Sequence, residues 1–586
     1  MKVIGISGLE NSMSFKRARF PGLDEREYRI AQGMDAAAAL VVDGKLVAAA
    51  EQERFSGKKH TGDFPVDAIR FCLAAGGLTL DDIDEIAHGF DYAPYRDLYR
   101  QDEVSKCLYD QVFAKEVLLK QVARDLPGFP LEKVRQVGHH LAHAASAAYT
   151  SGWDECLVVV NDAMGEIESM TIYDFHDGRL EKLCTVGAND SIGVLYSLVT
   201  LHLGFDFNSD EYKIMGLAPY GDPARYRAFF EKEVELCADG SIRIPILKLN
   251  QTREEREHYT ATRAYLDEHL IRRRAPDQSV NSTHEDVAAA LQECLERVVM
   301  HVCEHFGRET GLRHVALAGG VALNCTANGK LVRSGLFDEV YVQPVAGDDG
   351  VALGAALYRT AQRQPIANDR FPSPLFGPQY APSDIVEALH RFEDKIEWMR
   401  HDSLEATCAH AAKLIADGRV LAWFRGRMEY GPRALGNRSI LADPGHPEMR
   451  DRINAMVKKR EAFRPFAPAC AVEEAHRWFE VAQGMEFPYM ISIVQVRPEM
   501  RNLLPAITHV NGSARLQTVS TRDNPDFHAL LQAVGSTTGR QMVLNTSFNV
   551  KGQPIVNTPE EAIETFLGTG IEHLFLENFH VARATA

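Results

Sequence analysis

Val315-Ala316-Leu317-Ala318-Gly319-Gly320-Val321-Ala322-Leu323-Asn324 decides the fold class. Its first four residues form an apolar run of strand length, and two glycines then end it. Glycines there let the backbone approach a nucleotide, and a helix that follows offers its N-terminal amides to phosphate. A Gly-Gly pair by itself is only a turn. No Walker motif and no GxGxxG fingerprint accompanies it, so neither a P-loop nor a Rossmann site is read here. The strand-then-turn pattern recurs outward along the chain. Residues 339–343 form a strand that runs into Gly347-Asp348-Asp349-Gly350. Residues 157–161 and 170–175 read as strands, the first followed by Asp162. At the start, residues 2–7 are a strand, and residues 36–42 and 45–50 are a hairpin around Asp43-Gly44. Residues 10–32 between them are polar, an inserted loop or helix, and residues 285–306 carry helical periodicity. Alternation of strand, glycine turn and helix predicts an α/β architecture.

The chain has 586 residues, far beyond the roughly 250–300 at which single cores stop growing, so two or three domains are expected. Five prolines, Pro365, Pro372, Pro374, Pro378 and Pro382, mark a linker over 363–382. This divides the chain into domains 1–362 and 383–586, the second with a helix near 384–392 and strands near 420–424 and 541–544. Apolar content of 45% and charged content of 25% suit a soluble globular protein. A net charge of −17 argues against nucleic acid as the main partner. The ten cysteines are scattered without a Cys-x-x-Cys pair, which predicts reduced thiols and a cytoplasmic protein. The first apolar run is too short for a signal peptide, and no stretch approaches the roughly 18 apolar residues of a membrane span.

His139 and His143 are four residues apart and share a face if they lie on a helix, with His140 pointing elsewhere. Alone, such a pair more often belongs to a surface or a satisfied core. Asp162 and Asp348 change that balance, because both sit at strand ends, where open α/β sheets place ligand groups. Two imidazoles and two carboxylates suit a divalent ion such as Fe²⁺ or Mn²⁺ better than a closed structural zinc. For either aspartate alone, capping a turn or helix is the simpler role.

A second anion pocket is expected late in the chain. Gly431-Pro432-Arg433-Ala434-Leu435-Gly436-Asn437-Arg438-Ser439 combines rigid turn residues with two guanidinium groups, and Arg464 lies in Phe463-Arg464-Pro465-Phe466. Guanidinium groups bind phosphate or carboxylate bidentately, and Lys458 adds a point charge. Arg515 and the run Leu544-Asn545-Thr546-Ser547-Phe548-Asn549 accompany them. A solvated surface is the usual fate of such charges, but here they are embedded among Phe, Pro, Gly and Ala.

On these segments the chain resembles the NodU/CmcH-type O-carbamoyltransferases. Glu53-Arg54-Phe55, residues 139–147, residues 209–221, the Gly319-Gly320 turn, residues 426–433, residues 463–468 and residues 544–549 occur in family order. The resemblance implies an N-terminal ASKHA domain, RNase H-like and duplicated, and a C-terminal YrdC-like domain, both α/β. It implies that the C-terminal pocket cleaves carbamoyl phosphate. The carbamate then reacts with ATP to give carbamoyl-adenylate, and the ASKHA domain passes the carbamoyl group to the hydroxyl of a small metabolite, a natural product or its sugar. Carried over by position, His139, His143, Asp162 and Asp348 would bind the metal, Fe²⁺ foremost and Mn²⁺ or Mg²⁺ as alternatives. Gly319, Gly320, Val321, Asn324 and Lys213 would hold ATP. Arg433, Lys458, Arg464, Arg515, Asn545 and Ser547 would line the carbamoyl phosphate pocket. No membrane partner is implied, and a homodimer is left open.

One departure concerns catalysis. The family carries His-Asp before the small residues of the first hairpin, and this chain has Met34-Asp35. The family histidine is thought to assist transfer, and methionine cannot act as a base. Transfer without a base, another group such as Asp35 or His60 in its place, and an impaired transfer step all stay open. The alternatives for the whole chain are a tRNA-modifying carbamoyl transferase and a non-catalytic nucleotide-binding module.

Overall fold

In the structure, a computed structural model that describes residues 1–584 except 367–369, 372, 459, 460 and 462, the chain divides into two compact units. One is Met1–Glu53 with His60–Phe371, and the other is Arg54–Lys59 with Pro372–Ala586. Residues 367–369 and 372 of the expected linker lie outside the described residues.

The first unit opens with β1 (Lys2–Ile6), β2 (Ala37–Val42), β3 (Lys45–Glu51), β4 (Glu85–His88) and β5 (Val134–Gln136). The expected hairpin joins β2 to β3, with Asp43 and Gly44 at φ of 49° and 81°, as a tight primed turn requires. Residues 10–32 carry the helices Asn11–Arg19 and Glu25–Tyr28. The sheet order is β3-β2-β1-β4-β5. The first three strands are antiparallel, and β4 and β5 run parallel to β1.

After helix α1 (His139–Ala148) the pattern repeats with β6 (Glu155–Asn161), β7 (Glu168–His176) and β8 (Arg179–Gly187), helix α2 (Ser282–Thr310), β9 (His314–Ala318), helix α3 (Cys325–Ser334), β10 (Glu339–Val342) and helix α4 (Asp348–Ala361). This sheet has the order β10-β9-β6-β7-β8, again with three antiparallel strands and two that join in parallel. The same connectivity twice is the duplicated RNase H-like topology expected of an ASKHA domain. Val158, Val159 and Val160 of β6 are buried, which is why that strand is a continuous apolar run instead of an alternating one.

Helices α1 and α4 each follow the last strand of a repeat, and they pack on one another. Alanines 142, 144, 145, 147 and 148 give α1 a smooth buried surface. A Cβ added to Gly354 of α4 would sit 1.7 Å from the Ala142 carbonyl, and one added to Gly5 of β1 would sit 1.8 Å from that of Ala352. Only glycine permits these approaches, so two positions without side chains draw α4 onto both α1 and β1. No helix among the described residues is long and apolar enough to cross a membrane.

The second unit is built on β11 (Ile396–Arg400), β12 (Leu421–Phe424), β13 (Arg438–Ala442), β14 (Ala467–Ala471), β15 (Gln517–Val519), β16 (Met542–Ser547), β17 (His573–Leu576) and β18 (Phe579–Arg583). They form one mixed sheet in the order β11-β18-β17-β12-β13-β16-β14-β15. Helices α5 (Leu404–Ala416) and α6 (Pro525–Thr538) cover its core, where Ala411, Ala412 and Ile415 meet Trp423, Phe575, Leu530 and Leu531. The helix expected near 384–392 runs Pro382–Arg391.

Candidate active site

The four expected ligand groups come together at the helix that follows β5. Gly138 is the residue before α1, so His139 and His143 occupy its first two turns and share a face. Glu166, buried in the loop before β7, accepts the His139 amide at 2.9 and 3.1 Å and the Asp91 amide at 2.7 Å. This carboxylate satisfies an amide that the first turn of α1 leaves open. The His139 ring stacks on Phe90 with centroids 4.1 Å apart, and its Nδ1 lies 3.1 Å from the Gly89 carbonyl oxygen. A carbonyl can only accept, so Nδ1 carries the hydrogen and Nε2 of the neutral ring is a bare lone pair.

That Nε2 lies 3.1 Å from His143 Nε2, 3.5 Å from Asp162 Oδ2 and 3.5 Å from Asp348 Oδ1. His143 Nε2 lies 3.8 Å from Asp348 Oδ1. Ligand atoms about 2.1 Å from one ion are separated by roughly 3.0 Å at octahedral and 3.4 Å at tetrahedral angles, so the group fits a single divalent cation. Both imidazoles and Asp162 are buried, and Asp348 is partly exposed. Asp348 opens α4, six residues beyond the end of β10, so a helix start and not a strand end presents it. Burial opposes a charge on His139, yet Asp348 and Asp162 hold its pKa well above the ordinary imidazole range, so without an ion a proton on Nε2 takes the place a cation would fill. Burial, and then the neighbouring His139, push His143 down. His140 points away, its Nδ1 2.7 Å from the Thr171 hydroxyl.

The Gly-Gly turn is tied to this group. Gly320 donates its amide to Asp162 Oδ1 at 3.0 Å. Gly319 has a φ of 89°, and a Cβ there would sit 2.3 Å from the Asn161 carbonyl oxygen. Its glycine therefore serves packing against β6 as well as any ligand. Val321 lies in the short 3-10 turn Gly320–Leu323. Asn324 caps α3 by accepting the Ala327 amide at 3.0 Å, and it exchanges two amide bonds with Gln292 of α2 at 3.0 and 2.9 Å. Lys213 pairs with Asp210 at 2.8 Å.

Met34 is buried, and the next residue, Asp35, makes a direct contact of 2.8 Å between its Oδ1 and His60 Nδ1. Asp35, Glu53 and His60 each offer an atom within 4.8 Å of the others. Asp349 is buried next to Asp348. Burial first, then the charges of Glu51, Asp35 and Asp348, hold its carboxyl well above the carboxylate range.

In the second unit, strand register brings the expected anion groups to one end of the sheet. Ser547 pairs with Ser439, Asn545 with Ala467, and Ala469 with Gln517. Arg433, Arg464 and Arg515 each precede the start of one of these strands, while Asn545 and Ser547 end β16. Asn545 donates to Gln517 Oε1 at 2.8 Å and to the Ala434 carbonyl at 3.2 Å. Ser547 donates to Asn549 Oδ1 at 2.7 Å, and Arg464 lies 3.7 Å from Glu461. The side chain of Lys458 lies outside the described residues.

Arg438, the second guanidinium of the stretch 431–439 and the first residue of β13, has another role. It is fully buried 3.6 Å above the Phe424 ring, and it donates to the carbonyls of Pro378, Arg425, Gly426 and Asn437. Burial lowers its pKa to about 10. Glu429, also buried, shapes the same stretch by accepting the amides of Leu435, Asn437 and Arg438 at 2.7, 2.9 and 3.3 Å. Sequence reasoning missed Glu166, Gln292 and Glu429. Glu429 lies within the segment 426–433 that carries the resemblance, but nothing local gives its role, because the partners of each are set by the fold.

Residues 30–357 match the family model described as Carbamoyltransferase N-terminus, and residues 412–583 match the one described as Carbamoyltransferase C-terminus. The nodulation protein NolNO of Sinorhizobium fredii is 40% identical over 559 residues, 94% of this chain and 79% of that protein. The 3'-hydroxymethylcephem-O-carbamoyltransferase of Streptomyces clavuligerus is 32% identical over 61% of each chain. Among solved structures, full-length HypF in its phosphate- and nucleotide-bound form aligns at 13% identity over 62% of this chain and 56% of that one, with a TM-score of 0.33.

Proposed function

The chain belongs to the carbamoyltransferase family and is an enzyme that transfers carbamoyl groups, and from that premise we propose that it is an ATP-dependent O-carbamoyltransferase. In this reading the second unit, YrdC-like, binds and cleaves carbamoyl phosphate at the sheet end carrying Arg433, Arg464, Arg515, Asn545 and Ser547. Guanidinium forks suit the phosphate, and the buried Asn545 amide supplies a neutral polar group for the carbamoyl end. ATP binds in the first unit at the Gly319–Asn324 turn. There the start of α3 presents amides, while the Gly320 amide ties the turn to Asp162, and carbamate attacks the α-phosphate to give carbamoyl-adenylate and pyrophosphate. His139, His143, Asp162 and Asp348 would hold a divalent cation, Fe²⁺ foremost with Mn²⁺ or Mg²⁺ as alternatives, which would neutralise charge beside the nucleotide phosphates. The acceptor is the hydroxyl of a small molecule, a natural product or its sugar.

The observation that carries the reading is the join between two functions: Asp162 faces the imidazoles with one oxygen and binds the nucleotide turn with the other. The test is pyrophosphate release from ATP by the purified full-length chain. Release that requires both carbamoyl phosphate and a divalent cation is expected. Release independent of carbamoyl phosphate, or none at all, would overturn it.

A further inference from the structure

We propose that His60, oriented by Asp35, is the general base that takes the proton of the acceptor hydroxyl, an assignment that rests on the transfer reading above. Met34 offers no proton acceptor where the family places its histidine. His60 does. Its Nδ1 lies 2.8 Å from Asp35 Oδ1, and a carboxylate oxygen accepts, so Nδ1 carries the hydrogen. Nε2 is then a bare lone pair. It is shielded from solvent and makes no hydrogen bond among the described residues. A carboxylate on one imidazole nitrogen with the other left free is how catalytic histidines are set in the basic tautomer.

The backbone gives an independent reason. Asp35 and His60 have φ of 55° and 56°, so both partners of this contact are left-handed non-glycine residues. Left-handed non-glycine residues carry backbone strain and cluster at functional sites, where the surroundings over-determine them. Those surroundings are present. Ala36 donates to the Thr61 carbonyl at 2.8 Å, Ser7 Oγ to that of Asp35 at 3.3 Å, and the His60 amide to Glu53 Oε2 at 2.8 Å. A Cβ on Gly62 would lie 2.5 Å from the Gly33 carbonyl oxygen. Two loops are thus pressed together so that one presents a carboxylate and the other an imidazole.

In the transfer step the acceptor oxygen bonds to the carbamoyl carbon while its proton passes to His60 Nε2. The bond from that carbon to the phosphoryl oxygen breaks, and its electron pair leaves with AMP. Asp35 steadies the imidazolium, which returns the proton to water.

The test uses full-length protein supplied with carbamoyl phosphate and ATP, then offered ethylene glycol or hydroxylamine. Hydroxylamine attacks through a free amine lone pair and needs no base, whereas the alcohol does. His60→Gln should lower alkyl carbamate formation about 10²–10⁴-fold while hydroxyurea and pyrophosphate change less than about threefold. Asp35→Asn should follow in the same direction, and Met34→His should bring no gain. Equal loss of both products, or undiminished alkyl carbamate, would overturn the assignment. Wild-type protein that releases no pyrophosphate would overturn the transfer reading, and this assignment with it. A second measurement needs no acceptor. With ¹⁵N-labelled histidine, the signal missing from His60→Gln should show a protonated Nδ1 and a bare Nε2. A protonated Nε2, or a second equivalent of bound Zn²⁺ lost in His60→Gln, would assign these residues otherwise.

Discussion

Replacing Glu429 by alanine should loosen the loop that carries Arg433. The buried carboxylate accepts three backbone amides, from Leu435, Asn437 and Arg438. It also lies close enough to the buried Arg438 guanidinium to favour its charge. Each amide left unpaired in the interior costs about 1–3 kcal/mol, and partial relaxation makes the lower end appropriate for neighbours on one loop. Three such losses, together with weaker compensation of Arg438, give about 3–5 kcal/mol. Glu429→Gln keeps an acceptor oxygen and should lose about 1–2 kcal/mol. Three of the four tryptophans, Trp398, Trp423 and Trp478, lie in the second unit, so fluorescence during urea unfolding reports on it. Carbamoyl phosphate affinity, measured by calorimetry on the folded variant, should fall while ATP affinity holds. An alanine variant as stable as the parent, or a glutamine variant as damaged as alanine, would refute the argument that captured amides hold the loop.

His143→Ala removes one of four converging ligand groups, and metal analysis of the purified protein should show the divalent cation lost together with pyrophosphate release. Arg464→Ala should weaken carbamoyl phosphate binding by about 1.5–3 kcal/mol in calorimetry and leave ATP binding unchanged; equal weakening of both would indicate a shared pocket. Lys16 is buried and donates to the carbonyls of Ile30 and Glu257, and burial, partly offset by Glu257, lowers its pKa to about 8. The unfolded chain therefore binds more protons than the native one between pH 8 and an ordinary lysine value near 10.4, so stability should rise with pH across that window by about 3 kcal/mol. Urea midpoints at pH 7, 9 and 10 should show that rise in the parent and not in Lys16→Met.

Much of the fold and part of the site were legible along the chain. The strands beginning the first unit, the Asp43-Gly44 hairpin and the glycine turn after Ala318 all depend on neighbours within a few residues, where period and turn chemistry speak directly. The duplicated topology was legible only through family resemblance, since β6 finds its parallel partner β9 more than 150 residues onward, and no local pattern names a partner at that distance.

The same distinction separates the basic residues. Arg433 and Arg438 stand five residues apart and look alike in the sequence, yet Arg438 begins β13, buried on Phe424 and bound to four backbone carbonyls. Sequence alone determined which residue types were available: two imidazoles at helical spacing, carboxylates after strands, and arginines among prolines and aromatics. Tertiary structure decided which of them converge, which are consumed by structural bonds, and that Glu166 and Glu429 would capture amides. Residue type and spacing are local properties. Convergence and burial follow from packing summed over the whole chain, where a single glycine such as Gly354 sets how closely two helices approach.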